Sequence, residues 1–356
     1  MSGLENVVAA ETVLSDVDGQ AGRLVIRGYE LAALAGQDFE TVMHLLWDGL
    51  VGDLPPPNEL RVRLGRARVE VSAELAALDD GLLGREPFDA VRALVARLPD
   101  GTDLDCALRL VAAPAVFAQA VARRQGGLDP VPPDPRLGHA ADILQMLKGA
   151  PPAAAEAAAL QAYLVTVVDH GLNASTFAAR VTASTGAGLT SAVLAGLSAL
   201  KGPLHGGAPG PVIAMLDAIA APERAARWLA AALDRGDRLM GFGHRIYRVR
   251  DPRADALKRA LKGLGSSGRL ALAEAVEAQA LKLLAERKPG RELKTNVEFY
   301  TAVLLEALGF APDAFTCVFA MGRMAGWIAH AREQALSGRL IRPQSRYVGP
   351  APRAAA

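Results

Sequence analysis

Residues 240–254 read Met-Gly-Phe-Gly-His-Arg-Ile-Tyr-Arg-Val-Arg-Asp-Pro-Arg-Ala, with two glycines, one histidine, four arginines and one aspartate in fifteen positions. The apolar residues follow neither a helical nor a strand period, so this is not an ordinary core element. Gly241 and Gly243 allow backbone to come close to a ligand beside His244. Asp251-Pro252 reads as a turn that brings Arg253 back to the same place. Imidazole beside several guanidinium groups suits an anionic, carboxylate-bearing ligand, because Arg meets a carboxylate through two parallel hydrogen bonds. The competing reading is a basic surface turn around a satisfied histidine. Gly-Phe-Gly-His-Arg-Ile is not a dinucleotide fingerprint, since Ile246 stands where the third glycine is needed.

The 356 residues suffice for one large or two ordinary domains. Apolar residues make up 51% and charged residues 22%, a balance that folds. A net charge of +1 argues against a nucleic-acid partner, which usually shows as a basic excess. Cys106 and Cys317 are the only cysteines; two distant thiols and no recognisable signal peptide imply a reduced, cytoplasmic chain. No CxxC or HExxH pattern suggests a metal, and no uncharged apolar run of about 18 residues suggests a membrane span.

Short β-prone runs at 12–15 and 24–27 flank a turn-rich segment and predict a small hairpin. Helices are predicted over 39–50, 58–77, 103–123, 139–147, 151–168, 223–233, 254–261, 270–286, 299–308 and 315–336, with buried helix and glycine breaks through 177–200. Proline-rich loops separate them at 53–57 and 129–135. The fold class is all-α with a vestigial hairpin, which excludes doubly wound and barrel α/β classes.

Three further segments resemble the first in character. Asp169-His170-Gly171-Leu172-Asn173-Ala174-Ser175-Thr176 follows a long helix, Lys201-Gly202-Pro203-Leu204-His205-Gly206-Gly207 surrounds a histidine with glycine, and Thr295-Asn296-Val297-Glu298-Phe299-Tyr300 places a carboxylate at a helix start. Glycine neighbours give His205 nothing to pack against, which favours a functional role. His170 and its neighbours can equally cap a helix, and an acid such as Glu298 in a first helical turn is favoured by the helix dipole alone. His44, His139 and His330 lie in helical stretches and read as structural.

Together these segments resemble the citrate synthase family over nearly the whole chain. Gly-Leu-Glu-Asn-Val-Val-Ala-Ala-Glu-Thr and Ile-Arg-Gly-Tyr match its opening. Lys-Gly-Pro-Leu-His-Gly-Gly and Gly-Phe-Gly-His-Arg-Ile-Tyr match its two histidine loops, and Ile341-Arg342-Pro343 matches its C-terminal arginine motif. The resemblance, to the shorter dimeric branch, implies a two-domain helical fold. A large domain would span 1–207 and 311–356, and a small domain, 208–310, would close over the substrates. It implies condensation of acetyl-CoA with oxaloacetate to citrate and CoA, with no cofactor and no metal. His205 would hydrogen-bond the thioester oxygen, a carboxylate at 298 would take the methyl proton, and His244 would polarise the ketone. His170, Arg253 and Arg323 would hold the oxaloacetate carboxylates, joined by Arg342 from the neighbouring subunit of a homodimer. Arg245, Arg248 and Lys294 would meet the CoA phosphates.

Four departures lie beside the chemistry. The family's base is an aspartate in Pro-Asn-Val-Asp, whereas this chain reads Thr295-Asn296-Val297-Glu298. Pro209 stands where the family usually has Asn, Gly171-Leu172 replaces Glu-Gln, and Thr301-Ala302 replaces Ser-Gly. Glutamate's carboxylate sits one methylene further out, and a misplacement of about 1 Å costs about a hundredfold in rate. Two other outcomes are therefore open: the same condensation with propionyl-CoA to 2-methylcitrate or with another acyl-CoA, and a non-catalytic ligand-binding paralogue.

Overall fold

A computed structural model describes residues 7–206, 210–244, 246–265 and 268–351. Arg245, Pro209 and the first residues of the opening motif lie outside them.

The first element is a three-stranded antiparallel sheet of β1 (Ser15–Asp18), β2 (Arg23–Ile26) and β3 (Tyr29–Glu30), in that order. The sequence predicted a hairpin whose first strand ended at Ser15; the strand begins there instead. Two interactions, one long-range and one local, set this register. Thr12 and Val13 are drawn off by Glu333, through bonds of 3.2 and 2.8 Å. Asp18 Oδ1 accepts the N–H groups of Gln20 and Ala21 at 2.9 Å each, which fixes the turn one strand length later. The third strand was not foreseen. It follows a two-residue turn with Arg27 and Gly28 both at positive φ, a type I′ arrangement without its usual Asn-Gly or Asp-Gly signature.

The remaining regular elements among the described residues are helices. α1 (Leu31–Leu34), α2 (Phe39–Trp47) and α3 (Pro57–Val71) come first; the helix predicted to reach 77 tightens into a 3₁₀ turn, Ser72–Ala77. α4 (Asp80–Leu83) and α5 (Pro87–Val95) follow, both too short to stand out in the sequence. α6 (Leu104–Gln125) is long and apolar enough to cross a membrane by length and composition, but 89% of its apolar window is packed inside the protein, as a core helix requires. α7 (His139–Lys148) and α8 (Ala154–Val167) come next. The buried Arg68–Asp142 pair, 2.5 Å apart, pins the preceding proline-rich loop, for Arg68 also donates to Leu137 O and Asp142 accepts Asp134 N–H.

α9 (Ala174–Ala183) and α10 (Leu189–Leu200) form an antiparallel pair against the last helix. α11 (Gly210–Ile219), hidden in the sequence behind a Gly-Pro-rich start, precedes α12 (Ala225–Asp234), α13 (Pro252–Gly263), α14 (Gly268–Arg287) and α15 (Val297–Ala307). α16 (Phe315–Ser337) is apolar on nearly every side and packs against α2, α6, α8, α9 and α10. A helix apolar all round belongs inside a core.

Two glycines let α16 reach the end of α8. A Cβ on Gly326 would stand 2.1 Å from Val168 O, and one on Gly322 would stand 2.5 Å from Val167 Cγ2. This close approach carries Arg323 onto the segment that holds His170. Gly326→Ala is therefore expected to lower stability by about 1–3 kcal/mol through overpacking, read as a fall in midpoint in urea titration. An unchanged midpoint would show that the two helices separate at no cost.

Candidate active site

α8 ends at Val167, and the chain then turns through His170 and Gly171, the latter left-handed at φ +61°. The helix cap that competed with a functional His170 is supplied by Asn173, whose Oδ1 accepts the N–H groups of Ser175 and Thr176 at 3.1 Å each. The imidazole is thereby free. His170 Nε2 lies 3.1 Å from Tyr247 Oη, and the ring stands edge-on to His244 at 5.8 Å. Burial, then the charges of Arg253 and Arg323, push its pKa well below the ordinary value, so it is neutral.

The His244 loop is zipped to the segment carrying Glu298. Gly243 N–H donates to Lys294 O at 2.7 Å and Asn296 N–H to Gly241 O at 3.0 Å, around an isolated antiparallel bridge between Phe242 and Thr295. Gly241 has φ +85°, and a Cβ there would lie 2.8 Å from the Phe299 side chain. His244 Nδ1 accepts the backbone N–H groups of Ile246 and Tyr247 at 3.0 and 3.1 Å. Burial and Arg253 lower its pKa to about 4, so the ring is neutral with its proton on Nε2.

Asp251-Pro252 is not a turn, as the sequence suggested, but the cap and first residue of α13. A proline at the first helical position gives up no needed N–H. Asp251 holds Arg253 through Nε at 3.0 Å and Nη2 at 2.8 Å. The Arg253 guanidinium is thus locked with Nη2 3.3 Å from His244 Nε2. Two donors face each other there, an arrangement that is satisfied only by an acceptor placed between them.

Arg323 is 1% exposed, donates from Nε to Val167 O at 2.6 Å and lies over the Phe319 ring. Among the described residues no carboxylate comes within ion-pair distance of it. Burial, and next the repulsion of Arg253, lowers its pKa to about 10, which still leaves it charged. A buried cation without a partner is costly, and an anionic ligand removes the cost.

Glu298 opens α15, its N–H capped by Asn296 Oδ1 at 3.0 Å. Its carboxylate has no hydrogen-bond partner among the described residues. Burial raises its pKa to about 7, aided by Asp251 and opposed by Arg253 and Arg323. Tyr163, on which the Glu298 charge acts, has a buried hydroxyl that is also unpartnered.

His205 sits at the other wall. Its Nε2 lies 2.7 Å from Ser175 Oγ, which also receives Trp327 Nε1–H at 3.1 Å and stands 2.8 Å from Asn173 Oδ1. Asn173 Oδ1 already accepts two backbone N–H groups, so the Ser175 proton goes to His205. The imidazole, its pKa lowered to about 4 by burial, then carries its own proton on Nδ1.

His170, His244, Arg253, Arg323 and Glu298 thus form one electrostatically coupled cluster, with His205 coupled to it through Arg323. Arg342 lies exposed on the non-helical C-terminal segment, and no hydrogen bond or ion pair joins it to the cluster. Arg248 is exposed and lines a cavity of about 640 Å³, together with Arg238, Lys288, Arg291, Asp237 and His244. Lys294 pairs with Glu292 at 3.7 Å and is not among the lining residues. Sequence reasoning missed Arg238, Lys288 and Arg291, which lie outside the motifs, and assigned no site role to Tyr247 and Ser175 inside them; it read Asp251 only as part of a turn. His330, read as structural, donates to Asp169 at 3.1 Å and accepts from Arg180 at 3.0 Å behind His170.

The family described as "Citrate synthase, C-terminal domain" matches residues 3–344. The chain belongs to the citrate synthase family. It is 41% identical over 377 residues to the citrate synthase of Haloferax volcanii, covering 98% of this chain and 95% of the relative. It is 37% identical over 364 residues to the 2-methylcitrate synthase of Mycobacterium tuberculosis, covering 98% and 90%. Its fold is that of the Thermoplasma acidophilum citrate synthase solved as a ternary complex with carboxymethyl coenzyme A and oxaloacetate, with a TM-score of 0.83, 29% identity and coverage of 99% and 97%. The all-helical class expected from the sequence holds for this family member, with the small N-terminal sheet and the isolated Phe242–Thr295 bridge as the β structure among the described residues.

The raised pKa of Glu298 has a stability consequence. The folded state binds this proton more tightly than the unfolded chain does, so the ligand-free protein loses stability as pH rises from the ordinary carboxylate value through about 7. Glu298→Gln removes that loss. Allowing for the side chain's partial exposure, the variant is expected to be more stable at pH 8 by on the order of 2 kcal/mol, with no difference at pH 4. Thermal melts at the two pH values check this; equal melts at pH 8 would contradict the raised pKa.

Proposed function

We propose that this family member condenses an acyl-CoA with oxaloacetate, acetyl-CoA giving citrate and propionyl-CoA giving 2-methylcitrate. The observation that carries the reading is an unpaired Glu298 carboxylate, poised at a pKa of about 7, beside two fixed guanidinium groups and two neutral histidines. Oxaloacetate would place its carboxylates against Arg253, Arg323 and His170, with its ketone oxygen where His244 Nε2–H and Arg253 Nη2 converge. Glu298 would take a proton from the acyl α-carbon, the methyl group of acetyl-CoA or the methylene of propionyl-CoA, while His205 Nδ1–H donates to the thioester oxygen, so that the enol or enolate forms against a placed donor. The resulting carbon nucleophile attacks the ketone carbon, and the alkoxide takes up the His244 proton. Water then cleaves the thioester, releasing CoA. Holding oxaloacetate at several points converts a bimolecular encounter into an oriented one.

Four cations around the 640 Å³ cavity suit the phosphates of CoA, and His244 in the lining of the same cavity suits the acyl end. Residues 208–310 carry His244, Arg253 and Glu298 while His170, His205 and Arg323 lie outside that span, so a small domain hinged there would close the site and exclude water. A homodimer is the natural place for Arg342: the segment bearing it is exposed and carries Leu340, Tyr347 and Val348 uncovered. Cys106 and Cys317 are free and buried, in keeping with a reducing cytoplasm. The reaction so written needs no cofactor beyond its substrates. A non-catalytic paralogue finds no support, since the relatives compared carry the names of enzymes.

Release of CoA thiol from acetyl-, propionyl- and longer acyl-CoA with oxaloacetate tests the reading. Turnover is expected with at least one of the first two, and none with any would overturn it. Glu298→Gln is expected to abolish exchange of the acyl methyl protons, and Glu298→Asp to slow turnover about tenfold or more in a site fitted to the longer side chain. Unchanged exchange in the Gln variant would place the base elsewhere. Light scattering at micromolar concentration is expected to report a dimer; a monomer with full activity would exclude the composite site.

A further inference from the structure

Behind the segment that carries Glu298 lies a buried polar hub that the proposed mechanism does not use. Its centre is Glu277, on α14 and 5% exposed. Oε1 accepts Thr295 Oγ1–H at 2.7 Å and Arg250 Nη1–H at 2.6 Å, while Oε2 accepts Tyr300 Oη–H at 2.5 Å and Lys258 Nζ–H at 3.1 Å. Thr295 and Tyr300 bracket Glu298, three residues before it and two after. The backbone bonds to the His244 loop are made by Lys294 and Asn296 on either side of Thr295, so the Thr295 side chain is left to tether the strand to α14.

From this arrangement we propose that Glu277, acting through Thr295 and Tyr300, is the positioning residue that sets where the Glu298 carboxylate stands. The same carboxylate binds Arg250 and Lys258, which flank Arg253 in sequence, so one group indexes the base and the substrate-binding guanidinium against each other. Burial acts to protonate Glu277, but the bonds from Tyr300, Thr295 and Arg250 outweigh it and hold the acid ionised. Tyr300 keeps its phenolic proton, its pKa raised by burial and by Glu277. Hydrogen bonds to an ionised carboxylate are short and strong, which suits a fixed reference point. A proline at 295 has no hydroxyl to offer the hub. The Thr tether and the Glu base, the two residues that depart from Pro-Asn-Val-Asp, are therefore physically joined: the tether fixes the strand at the depth that the longer side chain requires.

The inference rests on Glu298 as the base, and the test separates the two. Thr295→Val keeps shape and removes the hydroxyl. It is expected to lower kcat for CoA release and the rate of methyl-proton exchange by about tenfold to a hundredfold, with KM for oxaloacetate changed less than about twofold. Thr295→Ser is expected to restore both rates. In a Glu298→Asp background Thr295→Val is expected to change kcat far less, giving a non-additive double-mutant cycle. Tyr300→Phe removes the other half of the bracket and is read in the same way should the Val variant fail to fold by circular dichroism. A Thr295→Val protein that melts earlier yet keeps wild-type kcat overturns the proposal, as does an equal loss in both backgrounds. If Glu298→Gln is inactive while Thr295→Val and Tyr300→Phe are unaffected, the base stands and the hub is only structural. If Glu298→Gln turns over normally, both readings fall.

Discussion

One carboxylate, that of Asp251, joins the two halves of the site. It caps α13, forks onto the Arg253 guanidinium, and accepts the N–H of Val297 at 3.1 Å. Val297 opens the helix whose next residue is Glu298. Arg253 and the start of the Glu298 helix are therefore joined directly through one carboxylate, in addition to the tether that Glu277 makes from behind. Without Asp251 a buried guanidinium would lose its counter-charge and a helix start would lose an acceptor. Breaking a buried pair from one side costs about 3–5 kcal/mol.

A second chain of buried polar groups supports the opposite wall. Thr12 and Val13 bind Glu333, Glu333 pairs with Arg180, Arg180 meets His330, and His330 donates to Asp169, which also receives Ser15 Oγ–H at 2.5 Å. Burial acts to raise the Asp169 pKa, but His330, Arg323 and Ser15 outweigh it and keep the group ionised. Asp169 immediately precedes His170, so the relay reaches the site through the backbone. It also explains the position of the sheet: Ser15 begins β1 and receives Gly171 N–H at 3.0 Å. The turn after β1 then touches the other histidine loop, for Arg248 N–H donates to Gly19 O at 2.8 Å and a Cβ on Gly19 would stand 2.3 Å from Ile246 O. A small sheet in a helical protein is retained where it bridges the His170 and His244 loops.

What was legible in the sequence was what is local. The apolar period gave most long helices, and the glycine-flanked histidines announced loops close to a ligand. Asp251-Pro252 was misread because a turn and a helix start share the same first two residues; only the N–H acceptor geometry of Asp251 tells them apart. Sheet register was missed because Glu333, more than 300 positions away, competes for Thr12 and Val13. The type I′ turn at Arg27-Gly28 lacked the residues that usually mark it. His330 read as filler because its partners, Asp169 and Arg180, are distant in sequence. Cations lining the cavity escaped notice because a lysine or arginine on a helix face has the same pattern whether it meets solvent or a phosphate.

The charges and donors that converge in the site match an anion. His244 Nε2–H and Arg253 Nη2 point donors at one another, Arg323 is buried with Asp169 acting on it only from beyond ion-pair distance, and the Glu298 carboxylate has no donor among the described residues. Seating a dianion between the arginines satisfies the first two at once. It also places negative charge near Glu298 and offsets the guanidinium charges that now hold its pKa down. Offsetting Arg253 and Arg323, the two groups that oppose its raised pKa, acts to make the carboxylate more basic. A base that is stronger with the dianion seated suits removal of a weakly acidic proton beside the ketone that accepts the resulting carbon nucleophile.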